Sequence, residues 1–280
     1  VKYRYAPMIL RMAAIFIFVL ALARPQAGQK EEEIITEGID IMLTLDISGS
    51  MKAEDFAPQN RLGAAKDVLT EFIKTRHNDR IGMVVFSRYS FTQCPLTLDY
   101  GALIELLDKV DIGMIEDGTA IGMAISNAVN RLRDSTVKSK IIILLTDGVN
   151  NAGKIDPLTA SKAAKAFGIK IYTIGAGKPG GAMYPVEDPI FGKRYVHMDT
   201  EIDETLLRNI ADETGGLYFR AKDKEGLREI YKTIGQLETT KIETKEYANY
   251  TELAGIFILP GFLLLLLEII LAHTLFAKIP

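Results

Sequence analysis

Residues 39–50 read Ile-Asp-Ile-Met-Leu-Thr-Leu-Asp-Ile-Ser-Gly-Ser, and this stretch decides the fold. The run 39–45 is nearly continuous in apolar and β-forming residues. Such a run predicts a strand buried on both faces, as in a parallel sheet. It stops at Asp46, and the polar pattern Asp46-Ile47-Ser48-Gly49-Ser50 follows at its carboxyl end. The arrangement returns at 141–145, an Ile/Leu strand that ends in Thr146-Asp147-Gly148. A third polar loop, Asp117-Gly118-Thr119, opens a helical pattern over 120–132.

Working outward, strand and helix patterns alternate. Helical spacing covers 61–76, with Leu62, Ala65, Leu69, Phe72 and Ile73 on one side. Further strands are predicted at 81–86, 170–174 and 216–219, with a short edge strand at 91–98 that contains Pro95. Further helices are predicted at 101–110, 160–167, 203–214 and 224–237. Alternating strands and helices imply βαβ units and a mainly parallel sheet covered on both faces. The expected fold is α/β, a Rossmann-like doubly wound sheet. The two most apolar strands, 39–45 and 141–145, should be central. Residues 177–197 hold Pro179, Gly180, Gly181, Pro185, Pro189 and Gly192 and read as an inserted loop or hairpin. It carries Tyr184, Phe191 and Tyr195 as candidate anchors, with Glu187 and Asp188 as acidic groups able to reach a neighbouring subunit.

Ligands of open α/β sheets bind outside the carboxyl ends of the strands, where strand order reverses. Asp46 and Asp147 each end a central strand, and Thr119 opens a helix. If those strands are neighbours, the three loops meet. Asp46, Ser48, Ser50, Thr119 and Asp147 then form an all-oxygen set suited to a hard divalent cation, Mg²⁺ above all, with Mn²⁺ or Ca²⁺ as alternatives. With few anionic protein ligands, the ion would keep waters and could accept a partner's carboxylate. The competing expectation for any one of these residues is a simple turn or helix cap.

The set Asp46-x-Ser48-x-Ser50, Thr119 and Asp147 resembles the metal-ion-dependent adhesion site of von Willebrand factor A domains, over about residues 39–237. The resemblance implies direct ligation by Ser48 and Ser50, by Thr119 directly or through water, and by Asp46 and Asp147 largely through water. The wider arrangement is similar to the bacterial aerotolerance (Bat) proteins, BatA-like. It rests on Leu20-Ala21-Leu22-Ala23-Arg24-Pro25-Gln26, Gly38-Ile39-Asp40-Ile41, Ala57-Pro58-Gln59-Asn60-Arg61-Leu62, and Tyr184-Pro185-Val186-Glu187-Asp188-Pro189. That resemblance implies a non-enzymatic protein-binding module that offers its metal to an Asp or Glu of a partner. It also implies work in complex assembly or envelope stress tolerance, with other Bat-like proteins and a MoxR-type AAA+ ATPase. Self-association through the insertion is a further expectation. A metal-assisted hydrolase and a scaffold with a structural ion are the alternatives. Against the hydrolase, no general base stands apart from Asp46 and Asp147.

Both ends look like membrane spans. Residues 252–275 form an apolar stretch long enough to cross hydrocarbon, interrupted by Pro260 and Glu268. Glu268 is expected near a headgroup region or paired with a partner's basic residue. Residues 6–23 form a second apolar segment, broken by Arg11. They read as a retained span with Arg11 snorkelling, or as a signal-like segment ending Ala21-Leu22-Ala23. Residues 24–38 read as a polar tether and 238–251 as a linker. Basic residues before the first span and Lys278 after the second place both termini in the cytoplasm. The domain would then lie on the periplasmic side of a bacterial inner membrane, with lipid contact at both ends. The chain begins with Val, and Bat proteins usually carry a further N-terminal span, so a fragment is expected.

Composition removes several other classes. With 33 basic and 36 acidic residues among 280, the chain shows no nucleic-acid footprint. Cys94 is the single cysteine, which rules out an internal disulfide, and it lies in no nucleophile motif. His77, His197 and His273 are far apart in sequence. Gly175-Ala176-Gly177-Lys178-Pro179-Gly180 satisfies a G-x-G-x-x-G pattern, yet no helix start follows it, as dinucleotide binding would require.

Overall fold

The computed structural model describes residues 5–35, 38–188, 192–198, 202–238, 243–252 and 254–274. The chain divides into two units, one of residues 36–242 and one made by the two ends, 1–35 and 243–280.

In chain order the elements are α1 (Ala6–Leu22), β1 (Gln26–Ile35), β2 (Asp40–Asp46), a 3-10 turn (Gly49–Lys52), α2 (Arg61–Lys74), β3 (Arg80–Phe86), β4 (Ser90–Thr97), α3 (Tyr100–Asp108), α4 (Ile121–Leu132), β5 (Lys140–Thr146), α5 (Pro157–Ala166), β6 (Ile169–Ala176), β7 (Ala182–Asp188), β8 (Gly192–Met198), α6 (Glu204–Thr214), β9 (Tyr218–Ala221), α7 (Lys224–Glu238), β10 (Glu243–Glu252) and α8 (Ala254–Thr274).

The larger unit is built on a six-stranded sheet of order β4-β3-β2-β5-β6-β9. All its pairings are parallel except β3 with β4, which makes β4 an antiparallel edge. Every residue of β2 is buried, and β5 is buried from Ile141 onward. That burial explains why neither strand shows a polar alternation. Their side chains still alternate between two cores. Ile41, Leu43, Leu45, Ile141, Ile143 and Leu145 pack with α2, α3 and α7. Met42, Ile142 and Leu144 pack with α4, α5 and α6. From β2 the chain fills β3 and β4 on one side of the sheet, then β5, β6 and β9 on the other. The order therefore reverses between β2 and β5, which lie in direct register from Asp40↔Lys140 to Leu45↔Leu145.

Helix starts follow local chemistry. Asn60, Asp99, Asp156 and Asp203 each accept a bond from a backbone N–H three residues on, at α2, α3, α5 and α6. The Asp156-Pro157 cap starts α5 three residues before the apolar spacing predicts. At the amino end of the sheet, Glu238 of α7 accepts from Ser139 Oγ (2.8 Å), Lys170 Nζ (2.7 Å) and Tyr172 Oη (2.6 Å).

The insertion forms a hairpin, β7 and β8, which leaves the carboxyl end of β6. Tyr184 is buried against Ala53 and Ala182. It anchors the hairpin internally and is not the exposed contact the sequence suggests. Phe191 lies outside the described residues, as do the side chains of Glu187 and Asp188.

The second unit corrects two expectations. The segments read as tether and linker contain β1 and β10, which pair antiparallel from Gln26↔Glu252 to Ile35↔Glu243. A two-stranded ribbon need bury neither face, so it leaves no two-residue hydrophobic period to read. The second correction concerns only the partner expected for Glu268. It is buried and accepts a 2.8 Å bond from Arg11 Nη2, within the chain. The least exposed residues of α8 include Phe257, Gly261, Leu264, Glu268 and Leu271, and those of α1 include Leu10, Ala14, Ile17 and Ala21. Both sets repeat every three and four residues, a coiled-coil seam. Gly261 permits the close approach. A methyl group there would lie 3.3 Å from Ile17 and 3.2 Å from Phe18. By length and composition, α8 is able to cross a membrane over Ala254–Leu271, while the apolar stretch of α1, Met8–Leu22, is shorter.

Candidate metal centre

The switch point gathers five predicted residues at one edge. Asp46 ends β2, and its Oδ1 accepts from the Ser48 backbone N–H at 2.9 Å, which folds the following loop back over the strand end. Ser48 Oγ lies 2.9 Å from Ser50 Oγ, and Ser50 Oγ donates to Asp147 Oδ1 at 2.5 Å. Thr119 enters from the loop before α4. A methyl group at Gly148 would lie 3.2 Å from Thr119 Oγ1, which places the threonine hydroxyl against the loop that follows Asp147. Asp46, Ser48, Thr119 and Asp147 are all buried.

A shell of partners that the motif does not contain holds these groups. Thr146 Oγ1 donates to Asp46 Oδ2 at 2.6 Å. Asp117 accepts from the Gly49 N–H at 2.7 Å and joins the first loop to the second. Asn151 accepts from the Thr119 N–H at 2.8 Å, and Asn150 from the Ile121 N–H at 2.9 Å; together they cap the start of α4 in place of a local side chain. Arg61 Nη1 donates to Asp147 Oδ2 at 2.7 Å. Of these, only Thr146 and Asp117 adjoin motif residues in sequence. Arg61 lies 86 residues from Asp147, and its place in the stretch 57–62 marks a family likeness without signalling this contact.

The charge arrangement tests whether an ion fits. Burial, and then the charge of Asp147, push the Asp46 carboxyl up to about 7, against the pull of bonds from Ser48 and Thr146. Burial also raises Asp147, opposed chiefly by Arg61. Arg61 offsets the charge of Asp147, so Asp46 is the less compensated of the two carboxylates, and a cation among the site's oxygens would relieve it. The donors are carboxylate and hydroxyl oxygens, the type that hard divalent ions take. The residues therefore fit such an ion. Among the described residues no group of three or more His, Cys, Asp or Glu side chains offers a different site.

Residues 40–233 match the von Willebrand factor type A domain family, and the chain belongs to it. Two solved structures lie close in sequence and fold. An aerotolerance-related membrane protein from Bacteroides fragilis is 32% identical with a TM-score of 0.62, covering 71% of this chain and 98% of that one. BatB from Bacteroides thetaiotaomicron is 32% identical with a TM-score of 0.63, covering 72% of this chain and 100% of that one. An uncharacterised protein of Borreliella burgdorferi is 31% identical over 268 residues, 95% of this chain and 78% of its own length. A UPF0353 protein of Mycobacterium avium is 27% identical over 84% of this chain and 70% of its own. Proximal thread matrix protein 1 of the mussel byssus, described with a zinc-occupied MIDAS motif, shares the fold at 21% identity and a TM-score of 0.56.

Proposed function

We propose that this chain is a membrane-anchored protein-binding module whose contact depends on a divalent cation, Mg²⁺ in the first instance. Asp46, Ser48, Ser50, Thr119 and Asp147 would hold the ion, and an Asp or Glu of the partner would complete its coordination. The observation that carries this reading is the convergence of two buried carboxylates and three hydroxyls at the sheet's reversal point. Membrane anchoring draws on the apolar length of α8 and on the similarity to a protein described as an aerotolerance-related membrane protein. From that similarity we also infer work in complex assembly or envelope stress tolerance alongside a MoxR-type ATPase. The metal supplies Lewis acidity toward a carboxylate oxygen, and the site's work is recognition, not bond cleavage.

Affinity capture from membranes in Mg²⁺ and in EDTA tests this, paired with calorimetric titration of Mg²⁺ and Mn²⁺. Asp46→Ala should abolish cation binding while circular dichroism stays native, because both hydrophobic cores lie below the site. Partners retained in EDTA would refute recognition through the ion. Unfolding on chelation would assign the ion a structural role. Unchanged cation binding by Asp46→Ala would remove the site itself.

A further inference from the structure

Arg61 is among the largest fully buried side chains of the chain and carries a permanent charge. It opens α2, where the helix dipole is positive and disfavours a cation. Burying a guanidinium there is costly unless partners compensate it, so its position calls for a reason. Its Nε and Nη2 donate to Asp55 Oδ1 and Oδ2 at 2.8 and 2.7 Å, a bidentate fork, and its Nη1 donates to Asp147 Oδ2 at 2.7 Å. The other oxygen of Asp147 receives Ser50. The carboxylate is therefore held from both sides, with Arg61 fixing its rotation about the ring of hydroxyls. Asp55 Oδ2 also accepts from the Lys178 N–H at 3.3 Å, at the base of the insertion. Two further contacts join hairpin and metal loop: Glu54 N–H donates to Met183 O at 3.1 Å, and Tyr195 Oη donates to Glu54 Oε2 at 2.9 Å.

Gly177 completes the arrangement and accounts for part of the glycine pattern that nucleotide binding leaves unexplained. Its φ is +146°, and a methyl group there would lie 2.8 Å from Arg61 Nη2 and 3.1 Å from Cζ. The guanidinium fills the space that a side chain at this point would need.

We propose that Arg61 is the positioning residue of the metal centre, and that it couples the centre to the β7–β8 hairpin through Asp55 and Lys178. This rests on the cation-binding reading above. Arg61 sets the carboxylate of Asp147 for the ion, and the same fork fixes the base of the hairpin. Cation binding and the hairpin's conformation therefore share one linkage. A partner that grips the hairpin tightens the ion, and the ion in turn orders the hairpin.

The test uses the full chain in detergent with Mn²⁺ as probe. Lysine keeps the charge but cannot form the fork and reach Asp147 together. Arg61→Lys should weaken Mn²⁺ binding by about tenfold or more, the usual loss when a ligand's orienting partner is removed. Gly177→Ala keeps the arginine and displaces it, and should weaken Mn²⁺ in the same sense. In the wild type, Mn²⁺ should slow amide exchange in 182–188 and 192–198, and in either variant it should not. A merely structural role would lower stability without the cation while leaving Mn²⁺ affinity and its effect on exchange as in the wild type, and that result overturns the inference. If Arg61→Lys does not fold, Gly177→Ala decides by the same criterion. Wild-type chain that binds no Mn²⁺ refutes the metal reading together with this one. Binding lost in Asp46→Ala but unchanged in Arg61→Lys and Gly177→Ala refutes this one alone.

Discussion

Asp46 shows how a single residue takes on its role. In the sequence it is an Asp after an apolar strand, a position where turn and cap residues are common. In the folded chain it is fully buried, bonded by the Ser48 N–H and by Thr146 Oγ1, and faces a second buried carboxylate. Thr146 is therefore the residue whose loss isolates Asp46 most directly. Thr146→Val keeps the shape and removes one donor to a buried oxygen. It should cost about 1–3 kcal/mol of stability, measured by chemical denaturation without divalent cations. A loss well below that range would mean that water replaces the threonine hydroxyl.

Among the elements, α7 carries the half-buried Glu238 and α8 the buried Glu268, each with a different partner set. Glu238 closes the amino end of the sheet, where bonds from Lys170, Tyr172 and Ser139 outweigh burial and hold its carboxyl below the ordinary range. A lowered folded-state value means that the unfolded chain takes up the proton first on acidification. The stabilisation is complete above the ordinary Glu value and is lost as pH falls through the lowered one. Glu238→Gln should therefore cost about 1–2 kcal/mol at pH 7, with the difference from wild type shrinking at acid pH in denaturation curves. Equal losses at both pH values would refute the ionic contribution. Glu268 depends on a single described partner, Arg11. Glu268→Leu or Arg11→Leu strands one charge on an apolar helix, at a cost of about 2–3 kcal/mol. Thermal unfolding in detergent should come at a lower temperature in either single variant and recover in the double. Equal unfolding temperatures in all four proteins would show that the pair does not hold the seam.

At the scale of the whole molecule, the proposed function carries a topology, with the domain on the periplasmic side of a membrane. Basic residues at both ends favour a periplasmic domain, although Arg24 and Lys30 lie on the opposite side of the first apolar segment. Cys94 is a poor probe, since it is buried and burial raises its thiol pKa. A cysteine at Gly180, which is exposed, combined with Cys94→Ser serves better. A membrane-impermeant thiol reagent should label it in intact spheroplasts. Labelling only after lysis would place the domain in the cytoplasm.

Much of the fold is legible in the local pattern: the sheet, its two central strands, and the five polar residues proposed as oxygen donors. Each of these has a local signature: apolar runs such as 39–45 and 141–145, and hydroxyl or acidic residues at their carboxyl ends. The family pattern ties the three loops together without any knowledge of their contacts. The remaining features arise from long-range contacts. Arg61 meets Asp147 and Glu268 meets Arg11 across 86 and 257 residues; Arg11 and Glu268 each stand out in an apolar run, yet nothing local names the partner of any of the four. The β1–β10 ribbon left no trace because two paired strands without a required buried face impose no hydrophobic period. Tyr184 read as an exposed anchor because residue type alone does not tell an aromatic that docks on a partner from one that docks on its own chain. The difference lies in whether Ala53 and Ala182 are there to cover it, and the fold brings them there.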